Sequence, residues 1–238
     1  PMCDPPASGS QPEPPNTPAQ PATQDGRFIS ADMAGQLTNI FARLRKNLTI
    51  TTVIDPENPK SLEMERFLEE IIPLSSHLHL KAVQKSEAPA LEAELDIERY
   101  PVTAFLDENG AYTGIKFSGI PGGHEMNSFV LAIYRLAGDP GLTPAQLERI
   151  ASLPPTKIQI CVSLSCHLCP DVVAAAQTIA AASERITAEM IDLALFPELR
   201  QQHNLMSVPA MIINEEQIVF GSKTLDEILD ILSTPTPH

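Results

Sequence analysis

The segment CVSLSCHLCPDVVAAAQ (Cys161–Gln177) contains three of the chain's four cysteines within nine residues. The apolar residues KIQICV before Cys166 and Cys169 predict a buried strand, and the residues from Cys166 onward predict a helix over 166–183. A C-x-x-C pair between a strand and a helix is typical of a redox-active dithiol. The alternatives are ligands for a metal or iron–sulfur cluster, or ordinary small core residues.

Cys166, the more N-terminal of the pair, is the expected nucleophile. At a helix start, unpaired backbone N–H groups and the positive end of the helix dipole favour a thiolate over a thiol. His167 lies between the two cysteines, where a positive charge or a donor lowers the thiol pKa further. Cys169 is then the expected resolving thiol, shielded by the helix. The alternative is a helix that simply contains two small buried residues.

Val208 and Pro209 provide an independent indication, because they begin a predicted strand well downstream of the dithiol in the same βαβ-ββα unit. At this place thioredoxin-like proteins have a cis peptide bond that faces the active sulfurs and aligns an incoming disulfide through its backbone. We therefore assign Val208 and Pro209 to substrate binding. The alternative is a trans proline at the start of an edge strand.

The spacing of Cys161, Cys166 and Cys169 also matches the cysteine loop of a plant-type two-iron cluster, and His167 adds a zinc ligand type. Cys161, however, lies in the predicted strand, where the pleat fixes its side-chain direction. The only fourth thiol, Cys3, lies in the N-terminal tail. We therefore expect no metal site, and we predict that Cys161 is a buried strand residue.

Two segments of the chain share one predicted order of a helix, a βαβ unit, a hairpin and a helix. In the first segment the Asn109-Gly110 pair marks the hairpin turn. The predicted elements of the first segment are a helix after Ser30, strands at 48–54 and 78–84, a helix between them, and a last helix over 123–137. The second segment has a helix at 143–152, the helix over 166–183, a helix in FPELRQQH, strands KIQICV, RITAEMID, PAMIIN and QIVFG, and a final helix in TLDEILDIL.

A fixed offset relates the two segments. Lys157–Ile160 follows Thr49–Thr52 at the same interval at which Pro209 follows Pro101. Two anchors with one offset indicate the duplication of a unit of about a hundred residues.

The same offset pairs Cys166 with Asn58 and Cys169 with Ser61. Only the second segment therefore carries a dithiol. We predict an α/β protein of two fused thioredoxin-like domains, of which the second holds the C-x-x-C redox site.

Three domains or segments follow from this division. Residues 1–28 form a proline-rich flexible linker or tail, because eight prolines among small polar residues bury little apolar surface. Residues 29–138 form the degenerate thioredoxin-like domain, and residues 139–238 form the redox-active thioredoxin- or glutaredoxin-like domain. Because the sequence opens on Pro1 rather than Met, we expect the native polypeptide to continue N-terminally into another module.

Glu125 follows two glycines and a histidine at the start of the last helix of the first segment. A glutamate in a first helical turn usually complements the helix dipole at the surface. If the two segments pack so that Glu125 approaches Cys166, its carboxyl group can exchange protons with the thiols or raise their pKa.

Composition excludes several classes of partner. The net charge is -14, and the basic run RLRK stands alone, so a nucleic-acid surface is not expected. No apolar run reaches the ~20 residues that cross a bilayer, and the first residues lack a secretory signal, so no membrane association is expected. Clustered cysteines fit a reducing compartment, and we predict a cytoplasmic protein.

The motifs CVSLSCHLCPDVV, SVPAMIIN and GIPGGHEMNSFVLAIY resemble the N-terminal domain of the alkyl hydroperoxide reductase flavoprotein subunit over about residues 37–232. The resemblance implies two fused thioredoxin folds, a redox-active Cys166–Cys169 disulfide, and Glu125 at the position of an acid that influences it. Three features depart from that family: the chain lacks flavin and pyridine-nucleotide domains, Leu168 replaces a common amide, and a proline-rich tail comes first.

The resemblance predicts a dithiol–disulfide carrier that relays electrons from a flavin-dependent reductase module, fused or separate, to a peroxiredoxin or another protein disulfide. We expect the module before Pro1 to be this reductase. The chain itself should hold no cofactor, whereas FAD and NAD(P)H are implied on the reductase. The alternatives are a broad, glutaredoxin-like protein disulfide reductase, a metal or iron–sulfur module, and a scaffold that only binds a partner.

Overall fold

The computed structural model describes residues 26–234. Cys3 and most of the predicted tail lie outside these residues. The described residues form one eight-stranded mixed sheet in the order β2-β1-β3-β4-β6-β5-β7-β8. Its strands are β1 (Leu48–Ile54), β2 (Leu78–Gln84), β3 (Val102–Leu106), β4 (Tyr112–Ser118), β5 (Thr156–Val162), β6 (Ile186–Asp192), β7 (Ala210–Ile213) and β8 (Gln217–Phe220).

Helices cover both faces of the sheet. The helices in the described residues are α1 (Ala31–Phe41), α2 (Pro59–Ile71), α3 (Pro89–Glu94), α4 (Glu125–Ala137), α5 (Pro144–Ala151), α6 (Cys169–Ala181), α7 (Glu198–Gln202) and α8 (Leu225–Ser233), with a single 3-10 turn at Ile72–Leu74.

The repeat predicted from the sequence is present in the backbone. The interval from the start of β1 to the start of β5 equals the interval from β2 to β6, and it is the offset found in the sequence. The peptide bonds before Pro101 and Pro209 are both cis, which confirms the prediction for Val208-Pro209 and shows the same feature in the first half.

Two helix starts differ from the prediction. α6 begins at Cys169 rather than Cys166, because the residues before it form a turn in which the Cys166 N–H donates to the Ser163 carbonyl at 3.0 Å. Pro170 suits the first helical turn, where its missing N–H leaves no helical hydrogen bond unmade. α4 begins at Glu125 rather than Gly123, because Gly123 has φ +55° and a right-handed helix cannot include that conformation.

The helix α3 was not predicted. Its six residues are too few to show a helical period, and the surrounding sequence is mostly acidic. It corresponds to α7 of the second half, and each of these short helices covers a small apolar cluster on the same face of the sheet.

The two halves share the sheet through a parallel pairing of β4 with β6. The register runs from Ile115 opposite Ala188 to Ser118 opposite Ile191. Each half supplies four strands, so the edge of each half is satisfied by the other. The sequence analysis predicted two fused domains, and the structure joins them through this continuous sheet.

The opposite face carries the larger core, which also crosses the boundary. We call it the main core. At its centre the Phe129 ring of α4 packs edge-on against Phe67 and Phe117, with centroids 5.4 Å away in both pairs. Cys169 and Val173 of α6 belong to the same buried cluster. The second half therefore buries its redox helix against side chains of the first.

A buried ion cluster lies beside the β4–β6 pairing. The Glu189 carboxylate of β6 accepts from the Arg99 guanidinium at 2.6 Å and from the Ser118 hydroxyl, while Lys116 Nζ lies 3.7 Å away. Burial lowers the pKa of Lys116, and Glu189 acts in the opposite direction. The Lys116 ammonium also donates to the carbonyl oxygen of Leu95 at 3.0 Å. One carboxylate of the second half thus compensates two cations of the first.

Glu189→Ala should lower the free energy of unfolding by about 3 to 5 kcal/mol, because it leaves the buried Lys116 without its carboxylate partner and leaves Arg99 only its ion pair with Glu98. The measurement is urea denaturation at neutral pH, with the exposed Glu148→Ala in α5 as the matched control. A loss no larger than that of the control would contradict the role given to the cluster.

Candidate functional site: the Cys166–Cys169 disulfide

Cys166 and Cys169 form a disulfide, with their Cα atoms 5.6 Å apart. The two cysteines differ in exposure. Cys166 is half-buried in the turn before α6, whereas Cys169 is 0% exposed as the first residue of that helix. A partner can therefore reach only the sulfur of Cys166, in accordance with the roles expected from the sequence.

The turn from β5 to α6 is built by short hydrogen-bonding side chains. The hydroxyls of Ser163 and Ser165 lie 3.0 Å apart, and the Ser165 N–H donates to the Ser163 hydroxyl at 3.4 Å. Such local bonds compete with helix formation. They keep Cys166 in a loop just outside the helix, with its side chain packed at the border of the main core.

Two histidine rings lie near each other at the cysteine turn. His167 is exposed beside Cys166, and its ring centroid lies 6.4 Å from that of His124, which comes from the first half. The sequence analysis assigned only His167. His124 could have been found in the same GGHE motif that directed attention to Glu125.

The start of α4 is bonded to the cysteine turn. The His124 N–H donates to the Leu164 carbonyl at 3.0 Å, and α4 packs against α6. The helix that carries Glu125 therefore begins against the turn that holds Cys166, and the effect of Glu125 on the thiols stays a prediction.

Glu125 is completely buried, unlike a surface residue of a first helical turn. Burial raises the pKa of its carboxyl group to about 7, the negative charge of Asp192 acts in the same direction, and a hydrogen bond from Ser128 acts in the opposite one. Its second oxygen, Oε1, has no hydrogen-bond partner in the described part of the chain. A carboxyl group with a pKa near neutrality can both accept and donate a proton under physiological conditions.

Asp192, at the end of β6, is a second buried acid that the sequence analysis did not identify. Burial raises the pKa of its carboxyl group, whereas a hydrogen bond from the Ala194 N–H and the charge of Lys60 lower it. The available signal was a carboxylate at the end of the apolar strand RITAEMID.

Val208 and Pro209 lie at the start of the segment that leads into β7. Val208 is half-buried and contacts both the main core and the cluster under α7. Before it, Met206 is 81% exposed, and Leu168 in the cysteine turn is 48% exposed. The loop before β7 and the cysteine turn thus each present a large apolar side chain to solvent.

Cys161 is a buried strand residue, as predicted. It is 0% exposed and lies in the cluster under α7, on the sheet face opposite the main core that holds Cys169. Burial raises the pKa of its thiol to about 12, so it stays protonated. Residues 26–234 contain no group of three metal-ligating side chains placed to hold an ion. A cluster site that includes Cys161 would need its side chain on the other face of the sheet.

The first half has no sulfur at the corresponding place. Asn58 caps α2 by accepting from the Lys60 N–H at 3.0 Å, and its amide donates to the Tyr100 carbonyl at 3.3 Å. Ser61 is buried and accepts from the Asp55 N–H at 3.3 Å. These two side chains serve as structural hydrogen-bonding groups.

The redox pair has a half-buried first cysteine and a fully buried second one, and it lies between a strand and a helix. Together with a later strand that follows a cis proline, this arrangement defines a thioredoxin-like disulfide oxidoreductase fold. A family model described as a thioredoxin domain matches residues 156–233. No helix in residues 26–234 is long and apolar enough to cross a membrane.

Similar proteins show to which family within this class the chain is related. The alkyl hydroperoxide reductase AhpF of Staphylococcus aureus (strain MRSA252) is 32% identical over 209 residues, which cover 87% of this chain and 38% of the relative. A structure of Enterococcus faecalis (V583) AhpF, a C503A mutant, is 47% identical with a TM-score of 0.84, and the match covers 87% of this chain and all of that one. The NTD_N/C domain of the same Enterococcus protein is 46% identical with the same TM-score, over the same share of this chain and the whole of that domain.

The chain belongs to the AhpF family of alkyl hydroperoxide reductases, which confirms the resemblance noted in its motifs. It spans 38% of the length of the curated relatives that it matches. Its two thioredoxin-like halves, with the redox pair in the second, correspond to the N-terminal NTD_N/C domain.

Glu125→Gln should remove a pH dependence of stability. The folded carboxyl group has a pKa of about 7 against 4.5 in the unfolded chain, so the folded state holds the extra proton and stability falls as pH rises through this window. The loss amounts to about 3 kcal/mol above pH 7. Urea denaturation at pH 5 and pH 8 measures it.

The variant should therefore be more stable than the wild type at pH 8 and similar to it at pH 5. The matched control is Glu184→Gln, at an exposed position after α6. Equal pH dependence in the wild type and Glu125→Gln would show that folding does not raise the pKa of the Glu125 carboxyl group.

Proposed function

We propose that this chain is the dithiol–disulfide carrier of a peroxide-reducing system, which accepts electrons from a flavin-dependent reductase and passes them to the disulfide of a peroxiredoxin. The observation that carries the proposal is the pairing of an accessible Cys166 with a fully buried Cys169 at the start of α6. The AhpF relatives are named for alkyl hydroperoxide reduction, which supports the choice of system.

The reaction is a thiol–disulfide exchange in two steps. The Cys166 thiolate attacks one sulfur of the partner disulfide, whose other sulfur leaves as a thiolate, and a mixed disulfide forms. Cys169 then loses its proton and attacks the Cys166 sulfur. The partner's second sulfur leaves, so the partner gains two electrons and the Cys166–Cys169 disulfide forms again.

We assign the proton of the buried Cys169 to Glu125. A thiolate that forms without solvent needs a nearby acceptor, and the Glu125 carboxyl has a pKa of about 7 and an oxygen without a hydrogen-bond partner in the described residues. His167 is the exposed group beside Cys166 that favours its thiolate when protonated. These roles agree with the positions predicted from the sequence.

The partner binds along the segment before Pro209. Val208 offers its backbone to an extended chain, while the exposed Met206 and Leu168 cover the apolar residues next to the partner's cysteine. These two exposed apolar side chains favour partner proteins that carry apolar residues next to their disulfide. A broad disulfide reductase would show no such preference.

In this proposal FAD and NAD(P)H bind to the reductase. The protein acts in the cytoplasm. The chain supplies cysteines, acids and a docking surface for the exchange. The expectation that the reductase module precedes Pro1 in the same polypeptide stays a prediction.

Cys166→Ser should abolish thiol-dependent reduction of insulin by the full chain, because the attacking sulfur is lost. Ser61→Ala should retain most of the activity, since Ser61 is the counterpart of Cys169 and holds only a backbone N–H. Initial rates with dithiothreitol as the reductant measure both. A loss of activity in Ser61→Ala at unchanged stability would mean that the first half takes part in the chemistry.

Cys166 should be alkylated much faster than Cys169 in the reduced protein, because it is accessible, whereas Cys169 is fully buried, and because the start of a helix favours a thiolate. Iodoacetamide labelling at pH 7, followed by peptide mass mapping, gives both rates. Comparable rates at the two positions would overturn the assignment of nucleophile and resolving thiol.

A further inference from the structure

The first half touches the cysteine turn through a backbone junction at Gly123. Gly123 has φ +55°, a left-handed conformation that glycine adopts without strain. A Cβ atom at this position would lie 2.6 Å from the Leu164 carbonyl oxygen and 3.3 Å from Leu164 Cβ. The next residue, His124, donates its N–H to the same carbonyl at 3.0 Å. The backbone of Gly123, which has no side chain, therefore contacts the cysteine turn at Leu164, two residues before Cys166.

A second close approach starts the same segment. Gly119 has φ +118°, and a Cβ there would lie 2.8 Å from the Cβ of Asp192. Ser118, just before it, pairs with Ile191 in the shared sheet. Residues 119–124 therefore follow the end of β6 closely and then reach the turn before α6.

The cysteine turn needs such support because it is not helical. Its internal bonds are the Ser163 and Ser165 contacts and the Cys166 N–H to the Ser163 carbonyl. The field of a helix N-terminus falls off within one turn, so a small displacement of the loop changes how strongly it stabilises the Cys166 thiolate.

We infer that Gly123 is a positioning residue for the redox pair: its bare backbone lets the first half hold the Leu164 carbonyl, and so fixes Cys166 against the start of α6. The inference rests on the proposed exchange at Cys166. It gives the half without cysteines a function in the reaction, through a glycine whose close contact is with the backbone of the cysteine turn.

The test compares Gly123→Ala with Gly122→Ala in the full chain. Gly122 is the matched control, because an added Cβ there meets nothing within 4 Å and its φ is outside the left-handed region. Two quantities are measured: the thiol pKa of Cys166 from the pH dependence of its alkylation, and the reduction equilibrium of the pair in glutathione buffers.

Gly123→Ala should raise the Cys166 thiol pKa and slow its alkylation at pH 7 by about tenfold, which corresponds to one pKa unit. The pair should become harder to reduce, because the reduced form loses thiolate stabilisation. Gly122→Ala should match the wild type in both. A purely structural role would lower the unfolding midpoint and leave pKa and reduction equilibrium unchanged.

Gly123→Asn guards against a variant that fails to fold. Asparagine tolerates a left-handed backbone better than alanine, yet it carries the same Cβ against Leu164. Unchanged pKa and equilibrium in a folded Gly123→Asn would overturn the inference. Failure of the proposed function would look different, since the wild type itself would then not reduce insulin.

Discussion

The parallel pairing of β4 with β6 makes one sheet from two repeats, and the surroundings of the redox pair depend on it. The pairing places α4 of the first half against α6 of the second, with the start of α4 at the cysteine turn. The Glu189 carboxylate, bonded to Arg99 beside the pairing, supports this register. Either half folded alone would leave one edge strand of its sheet unpaired. The second half alone would also lose the first-half side chains that bury Cys169.

Both halves contribute residues to the surroundings of the redox pair. The second half supplies the sulfurs, the exposed His167 and the Val208-Pro209 strand start. The first half lacks the dithiol, because Asn58 and Ser61 stand in the places of the two cysteines and bond to backbone groups. It nevertheless contributes the buried acid Glu125 at the start of α4, and the proposed function assigns to this acid the proton of Cys169.

The local features of the fold could be predicted from the sequence. The constant offset between the repeats, the strands β1 and β2, the C-x-x-C context and the cis proline depend on short-range patterns, and the structure contains each of them. The start of α6 was misplaced because two serine hydroxyls outweigh the helical tendency of the residues after Cys166.

The contacts between the halves could not be predicted, because they join residues distant in sequence. Nothing in the pattern of RITAEMID shows that Glu189 meets Arg99 or that the charge of Asp192 acts on the Glu125 carboxyl. The burial of Glu125 likewise follows from packing of α4 on α6 rather than from its place in a first helical turn.

Trapping of a mixed disulfide tests the central claim most directly. Reduced Cys169→Ser, which keeps the attacking thiol and lacks the resolving one, is mixed with the disulfide form of a peroxiredoxin, and the adduct is mapped by mass spectrometry. The account predicts a covalent complex joined through Cys166 and released by dithiothreitol. An adduct through Cys161, or no adduct while Cys166 still alkylates, would contradict it.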